Sequence, residues 1–433
     1  MTDDGLRDEV LELAQALIRV DTSNPPGRET PAAELLRDYL DEAGAECELA
    51  GPDPERLNLI ARVKGGGAPS LMLMAHTDVV PAPPENWTVA PFGGEVRDGH
   101  LLGRGAADMK GELAARAVAV AETARTGEAP PGDVVLVAEA DEERNTAGVG
   151  MSWLVRERPD VRCDFAINEG GGSLLELADG RRAVTVAVGE KRTSSVRVRV
   201  KGRAGHASVP AAADNPVGHA ARAVELLLAH EAETEVHPAI ERALRALGAP
   251  EGDADALVEW ASGLHPALAA ELPPMTRLQV TPTGLQTHEP ANVIPPYADI
   301  ICDCRALPGQ TEDDVRDHVA AALEGQVEFE FEWLEPLEGG TSSPIDTPLY
   351  GACQDYVETR LPGAVLLPLI SVGFTDSHWI REAYDTVAYG FAPVFATDLA
   401  AYEGGMHGAD ECLAVDDLVE MTRFNLHAIR SLG

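Results

Sequence analysis

His76 and Asp78 stand two residues apart, directly after the apolar run 71–75 (LMLMA). If that run is a buried strand, both side chains can point into one crevice at its C-terminal end, where α/β sheets bind ligands. Histidine is a good zinc ligand and usually gives its second ring N–H to a neighbouring acceptor such as a carboxylate. An ordinary polar turn would use the same pair. Asp108 lies in GRGAADMKG (103–111), just ahead of an Ala-rich stretch; there it either ligates a cation or caps a helix. Asp141, Glu142 and Glu143 follow a second apolar run, 134–138. Adjacent acids repel one another; a solvated loop tolerates this, and a bound cation stabilises it better. Asn168-Glu169 ends a third apolar run, and His407 sits in a Gly-rich loop before the last helical stretch. Mixed N and O donors without a thiolate suit one or two borderline divalent ions, zinc or cobalt ahead of magnesium.

Those positions need elements to hold them. Helical spacing covers 4–20 and is broken by the turn cluster 21–27 (DTSNPPG). A helix at 30–44 and a strand at 57–63 follow. The runs 71–75, 134–138 and 164–167 read as strands, with helices at 110–126 and 146–157 between them; this alternation indicates an α/β domain. The texture changes near 184. Alternating strands at 184–188 and 194–200, a helix from about 214, a polar Ala/Glu-rich stretch to about 272, strands at 276–286 and 296–304, a helix at 311–324 and a strand at 327–334 give the β-α-β-β-α-β order of a ferredoxin-like unit. After Gly339-Gly340 the α/β character returns, with a final helix at 414–431. The expected class is therefore α/β: a mixed-sheet catalytic domain, 1–186 and 339–433, carrying an inserted ferredoxin-like α+β domain, 187–338.

Composition narrows the function. The 433 residues carry a formal charge of −38, which argues against binding nucleic acid or an anionic membrane surface. No apolar run approaches the roughly 20 residues of a membrane span, and the acidic N-terminus lacks a signal-peptide layout. The expected compartment is the cytoplasm. The six cysteines form no CxxC, so neither a disulfide framework nor a thiolate metal site is expected. Only Lys64, Lys110, Lys191 and Lys201 are lysines; GC-rich codon usage or adaptation to high salt would each produce this.

Taken together, DTSNPPG, HTDVV, GRGAADMKG, DEE, NEGGG, GHASVP, ANVIPP, CRALPG and MHG resemble the M20 family of metallopeptidases over essentially the whole chain. The resemblance implies a zinc-peptidase-like domain with an inserted lid and dimerisation domain, and two Zn²⁺ (Co²⁺ or Mn²⁺ as substitutes). His76 and Glu169 would bind one ion, Glu143 and His407 the other, and Asp108 would bridge them. Asp78 would orient His76, Glu142 would be the general base, and the Asp108–Met109 peptide would be cis. His206 would reach the partner subunit's active site in a homodimer and hydrogen-bond the tetrahedral oxyanion. Asn292 and Arg305 would meet the substrate or its carboxylate, as would Thr375 and Asp376 of the GFTDS loop (373–377), where Phe374 replaces a usually small residue. Lys191 is a further near-site candidate.

The implied reaction is hydrolysis of an amide or peptide bond next to a free carboxylate, in dipeptides or N-acyl amino acids. A biosynthetic deacylase of the acetylornithine or succinyl-diaminopimelate type is the alternative, followed by cleavage of a carbamoyl or ester bond. A catalytically inactive binding protein on the same scaffold is the reading of another class; the complete ligand set and Glu142 argue against it. No G-x-S-x-G elbow is present.

Overall fold

The computed structural model describes residues 2–287 and 289–432. The chain divides into two compact units. One comprises the chain up to Val188, Ser343–Leu369 and the chain from Thr375; the other comprises Gly189–Ser342 and Ile370–Phe374. The sequence reading placed these boundaries at 187 and 338 and kept 370–374 in the larger unit. Two of the four crossings, at 188/189 and 369/370, fall inside continuous strands, Arg182–Glu190 and Val365–Ser371, so hydropathy shows no break there; the other two, at 342/343 and 374/375, lie between elements.

The larger unit is built on a mixed sheet in the order Glu46–Ala50, Asn58–Val63, Gly132–Glu139, Ala68–His76, Phe165–Asn168, Val387–Gly390, Arg182–Glu190, Val365–Ser371. The four strands from Gly132–Glu139 to Val387–Gly390 are mutually parallel. Their apolar runs are nearly continuous because both faces are covered. Met72, Met74, Val135 and Val137 pack under Met151 and Leu154 of one helix and Ile380 of another. The opposite face meets the Lys110–Arg125 helix, which is buried almost all round and packs against Asp3–Ile18 and Val415–Ser431. Its alanines keep those neighbours close. In register, His76 lies opposite Glu139 and Leu73 opposite Ile167, so three parallel strands end at one edge of the sheet. That shared edge carries the site.

The smaller unit is an antiparallel sheet, Gln279–Gln286, Tyr297–Ala306, Arg192–Lys201, Phe329–Trp333, packed on helices Pro216–Ala229 and Glu312–Leu323. Val196, Val198, Val200, Ile300, Cys302 and Cys304 alternate inward, as a sheet covered on one face requires. The stretch read as polar, to about 272, instead forms three short helices, Pro238–Ala246, Ala254–Ser262 and Pro266–Met275. Each spans ten residues or fewer, and two are capped by histidines, His237 and His265, whose Nδ1 accepts a backbone N–H. Such caps lack the Ser/Thr/Asp/Asn signature. The helix expected from 146 starts at Met151; a Cβ on Gly150 would lie 1.8 Å from the Ala140 carbonyl oxygen, and this close approach holds the chain in a turn until there. All six cysteines are free thiols. No helix among the described residues is long and apolar enough to cross a membrane.

Candidate metal centre

Asp108 stands between two imidazoles. Its Oδ1 lies 3.0 Å from His76 Nε2 and its Oδ2 3.2 Å from His407 Nε2. Glu169 Oε2 lies 3.7 Å from the first imidazole and Glu143 Oε2 3.1 Å from the second. His76, Asp108 and Glu169 form one group of potential ligands, and Asp108, Glu143 and His407 the other; within each group the donor atoms lie within 4.8 Å of one another. The donor set suits divalent zinc-like ions. Glu143 Oε1 is buried without a hydrogen-bond partner, a lone pair that a cation would satisfy. The residues present therefore fit a pair of metal ions bridged by Asp108.

Local structure explains each placement. His76 is the last residue of its strand, and its side chain is 1% exposed. Its Nδ1 donates to the Asp78 backbone carbonyl at 2.9 Å, which turns Nε2 toward Asp108. The Asp78 carboxylate, at 3.6 Å, is not the group that makes this bond. It accepts instead from the backbone N–H groups of Glu142 and Glu143, both at 3.2 Å, and from Asn24 Nδ2 at 2.9 Å. Asp78 thus orients His76 through its main chain and braces the Glu142-Glu143 loop through its side chain. Asn24 Nδ2 also donates to Asp141 Oδ1, and Asp141 is paired with Arg56, itself bound to Glu29. In the sequence Asn24 stands within the DTSNPPG turn and family motif without a role of its own, and neither Arg56 nor Glu29 stands out.

Glu169 follows Asn168 at the next strand end. A Cβ on Gly390 would lie 1.9 Å from the Glu169 carbonyl oxygen, so only glycine lets the neighbouring strand approach the Glu169 backbone this closely. Asp108 precedes the Lys110–Arg125 helix without capping it, and the Asp108–Met109 peptide is cis. His407 is held at φ 59°, a left-handed conformation uncommon for non-glycine residues.

Electrostatics follow the same geometry. Burial would discharge Asp108, but hydrogen bonds from His407 and His76 outweigh it and hold the carboxyl below its usual range. Hydrogen bonds to Asp108 and Glu143 raise His407 to about 10. His76 is raised by Asp108 and Glu169 against the opposing effect of burial. Protons on the imidazoles therefore supply the positive charge that a cation would replace. Glu142 is pushed up by burial, then by the charge of Glu169; its Oε2 is 4.0 Å from His76 Nε2.

Asp376 and Thr375 are buried in the larger unit. Burial, then the charge of Glu169, raises Asp376 to about 8, and its Oδ2 has no hydrogen-bond partner. Gly373 and Phe374 of the same loop fall in the smaller unit. That unit also holds His206, Asn292, Arg305 and Lys191. His206 and Asn292 are exposed neighbours: the Ala207 N–H donates to the Asn292 carbonyl, and His206 pairs in register with Val293. His206 Nδ1 accepts the Ser208 backbone N–H at 3.2 Å, which leaves the ring proton on Nε2. Arg305 makes a two-armed ion pair with Asp303, at 2.9 and 3.2 Å.

Lys191, the further near-site candidate, is held within the smaller unit. Its side chain is fully buried in the smaller unit, donating to the carbonyls of Pro274 and Arg277 and to Gln279 Oε1, at 2.7–3.2 Å. It ties the third short helix to the sheet. Burial, then the charge of Arg305, lowers it to about 7. Unfolded, the same amine holds its proton to about 10.4. Between these values the unfolded chain binds more protons at this group, so its contribution to stability rises with pH by up to about 1.4 kcal/mol per unit. His407 and Asp376, raised to about 10 and about 8, slope the other way over this range, so the effect is read as a difference: chemical denaturation at pH 7, 8 and 9 should give Lys191→Met a more negative pH slope than the wild type, and equal slopes would remove Lys191 as a contributor.

A sequence profile of peptidase family M20/M25/M40 matches residues 72–431. Succinyl-diaminopimelate desuccinylase of Delftia acidovorans is 38% identical over 227 residues, 51% of this chain and 57% of that protein, so the chain matches little more than half the length of that relative. The same enzyme of Rhodospirillum centenum is 28% identical over 424 residues, 95% and 94% of the two chains. Among solved structures, the M20 family metallo-carboxypeptidase Sso-CP2 of Sulfolobus solfataricus superposes with a TM-score of 0.72 at 16% identity, covering 98% and 99% of the two chains. Human carnosine dipeptidase 1 gives 0.69 at 17%, covering 99% and 97%. The solved structures share the fold, and the profile match across most of the chain establishes the family: the chain belongs to peptidase family M20/M25/M40.

Proposed function

We propose that the protein hydrolyses the amide bond of an N-acyl amino acid or short peptide next to a free carboxylate, with two zinc ions bound. The observation that carries this reading is the division of Asp108, one oxygen toward His76 and the other toward His407. His76 and Glu169 would hold one ion, Glu143 and His407 the other. Two such ions would acidify a water and polarise the scissile carbonyl. Glu142, beside both donor groups, would take a proton from the attacking water and pass it to the leaving nitrogen. Thr375 and Asp376 would line the pocket near Glu169, and Asn292 and Arg305 would meet the substrate carboxylate once Arg305 exchanges Asp303 for it.

His206 of a second copy would donate its Nε2–H to the oxyanion. Its exposure and its tautomer support that role, and the exposed Val209, Val217 and Leu228 of the same unit supply apolar surface for a homodimer. His206→Ala should lower kcat about 10²–10³-fold, the usual effect of deleting an oxyanion donor, with metal content unchanged. Steady-state kinetics with elemental analysis checks this, and a normal kcat removes the role.

A biosynthetic deacylase is the second reading, favoured by the relative matched over 95% of the chain. The proposed compartment is the cytoplasm. Zinc- or cobalt-loaded protein assayed for amine release from N-acetyl amino acids, N-succinyl-diaminopimelate, acetylornithine and dipeptides decides between the readings by its best substrate. Silence across the panel would reject both.

A further inference from the structure

The carboxylate of Glu411, four residues beyond His407 and fully buried, takes no part in the reaction described above. Its Oε1 accepts the backbone N–H groups of Ala107 at 2.7 Å and Asp108 at 2.9 Å. Its Oε2 accepts the Gly105 N–H at 3.0 Å and Arg104 Nη1 at 2.6 Å. The Gly103 N–H donates to the Glu411 main-chain carbonyl at 3.0 Å. The segment from Gly103 to Asp108 is therefore wound round one residue of the loop that carries His407. Arg104 closes the circuit: its Nη2 donates at 2.7 Å to the carbonyl of Gly408, next to His407.

A buried carboxylate is costly unless its lone pairs are filled, and here four donors fill them. Three are main-chain groups of the segment that ends in the bridging aspartate, one of them the N–H of Asp108 itself. We propose that Glu411 is a positioning residue: it fixes the spacing between Asp108 Oδ2 and His407 Nε2, and so sets the affinity of the metal position that those two groups share with Glu143. This inference rests on the two-metal reading above. It is also asymmetric. Glu411 reaches two of the three donors at that position, Asp108 through its own N–H and His407 through Arg104 and Gly408, but only Asp108 at the position made with His76 and Glu169.

Glu411→Gln tests it. The amide nitrogen must face either the Ala107 and Asp108 N–H groups or Gly105 and Arg104, donor against donor. Arg104→Met is the milder companion: it leaves Glu411 its three main-chain donors and removes the tie to Gly408. Stepwise zinc affinities of the folded proteins are measured by competition with a chromophoric chelator, with the Co²⁺ absorption spectrum as a second readout. For Glu411→Gln, one of the two ions should bind 10–100-fold more weakly, the usual effect of removing a group that orients metal ligands. The other should change less than threefold, and the cobalt spectrum should alter. Arg104→Met should weaken the same ion by about 3–10-fold, and it alone carries the test if Glu411→Gln does not fold. A lowered melting temperature with both affinities and the spectrum unchanged would overturn the positioning role and leave the two-metal reading intact. Wild-type protein that binds fewer than two ions would overturn that reading, and this inference with it.

Discussion

Glu142→Gln is expected to keep both metal ions and lose about 10²–10⁴-fold in kcat, the range for removing a general base. The side chain belongs to neither ligand group, and its loop is braced from below by Asp78, whose carboxylate accepts the Glu142 and Glu143 main-chain N–H groups. Glutamine keeps the size and the backbone bonds and removes only the ability to take a proton. Elemental analysis should find wild-type metal content, and KM should move much less than kcat. Near-normal turnover in the variant would refute the assignment of the base.

Asp108→Ala should have an equally large effect by a different route. Asp108 is the one residue common to both donor groups, so its loss strips a ligand from each. Alanine also leaves two facing imidazoles without the carboxylate that holds them charged. Metal content should fall below two ions per chain. Activity should drop at least about 10³-fold, since two-metal stabilisation contributes several kcal/mol and about 4 kcal/mol is a thousandfold. The fold should survive, because among the described residues the polar partners of the Asp108 side chain are His76 and His407, while its backbone stays on Glu411. Circular dichroism and elemental analysis together check this outcome. A folded variant that retains two tightly bound ions would show that Asp108 does not bridge.

What was legible in the sequence was chemical type at element ends. His76, Glu143, Glu169 and the loop residues Asp108 and His407 stand out because acids and imidazoles interrupt apolar runs or glycine-rich turns, and the structure brings these five side chains together. The supports were legible only in part, for two physical reasons. Asp78 stands out beside His76, but its hold on the Glu142-Glu143 loop, like that of Glu411 on the Asp108 segment, works through main-chain N–H groups, and these carry no residue-type signature. Asn24 and Arg56 act on Asp141 from 117 and 85 residues away, a distance that no local pattern encodes. The same holds for the fold. Long buried strands and the Ala-rich helix declare themselves by composition, whereas two of the three short helices between 238 and 275 start at histidine caps. Lys191, a near-site candidate in the sequence, meets three oxygens of its own unit that lie more than 80 residues away in the chain, which no local pattern encodes.

The most direct test of the account is to strip the protein of metal, titrate it with zinc and follow hydrolysis of the best substrate from the panel. The account predicts no turnover without metal, activity that reaches its plateau at two equivalents per chain, and complete reversal by a chelator. Full turnover in the chelated protein, or a plateau at one equivalent unaffected by a second ion, would contradict it.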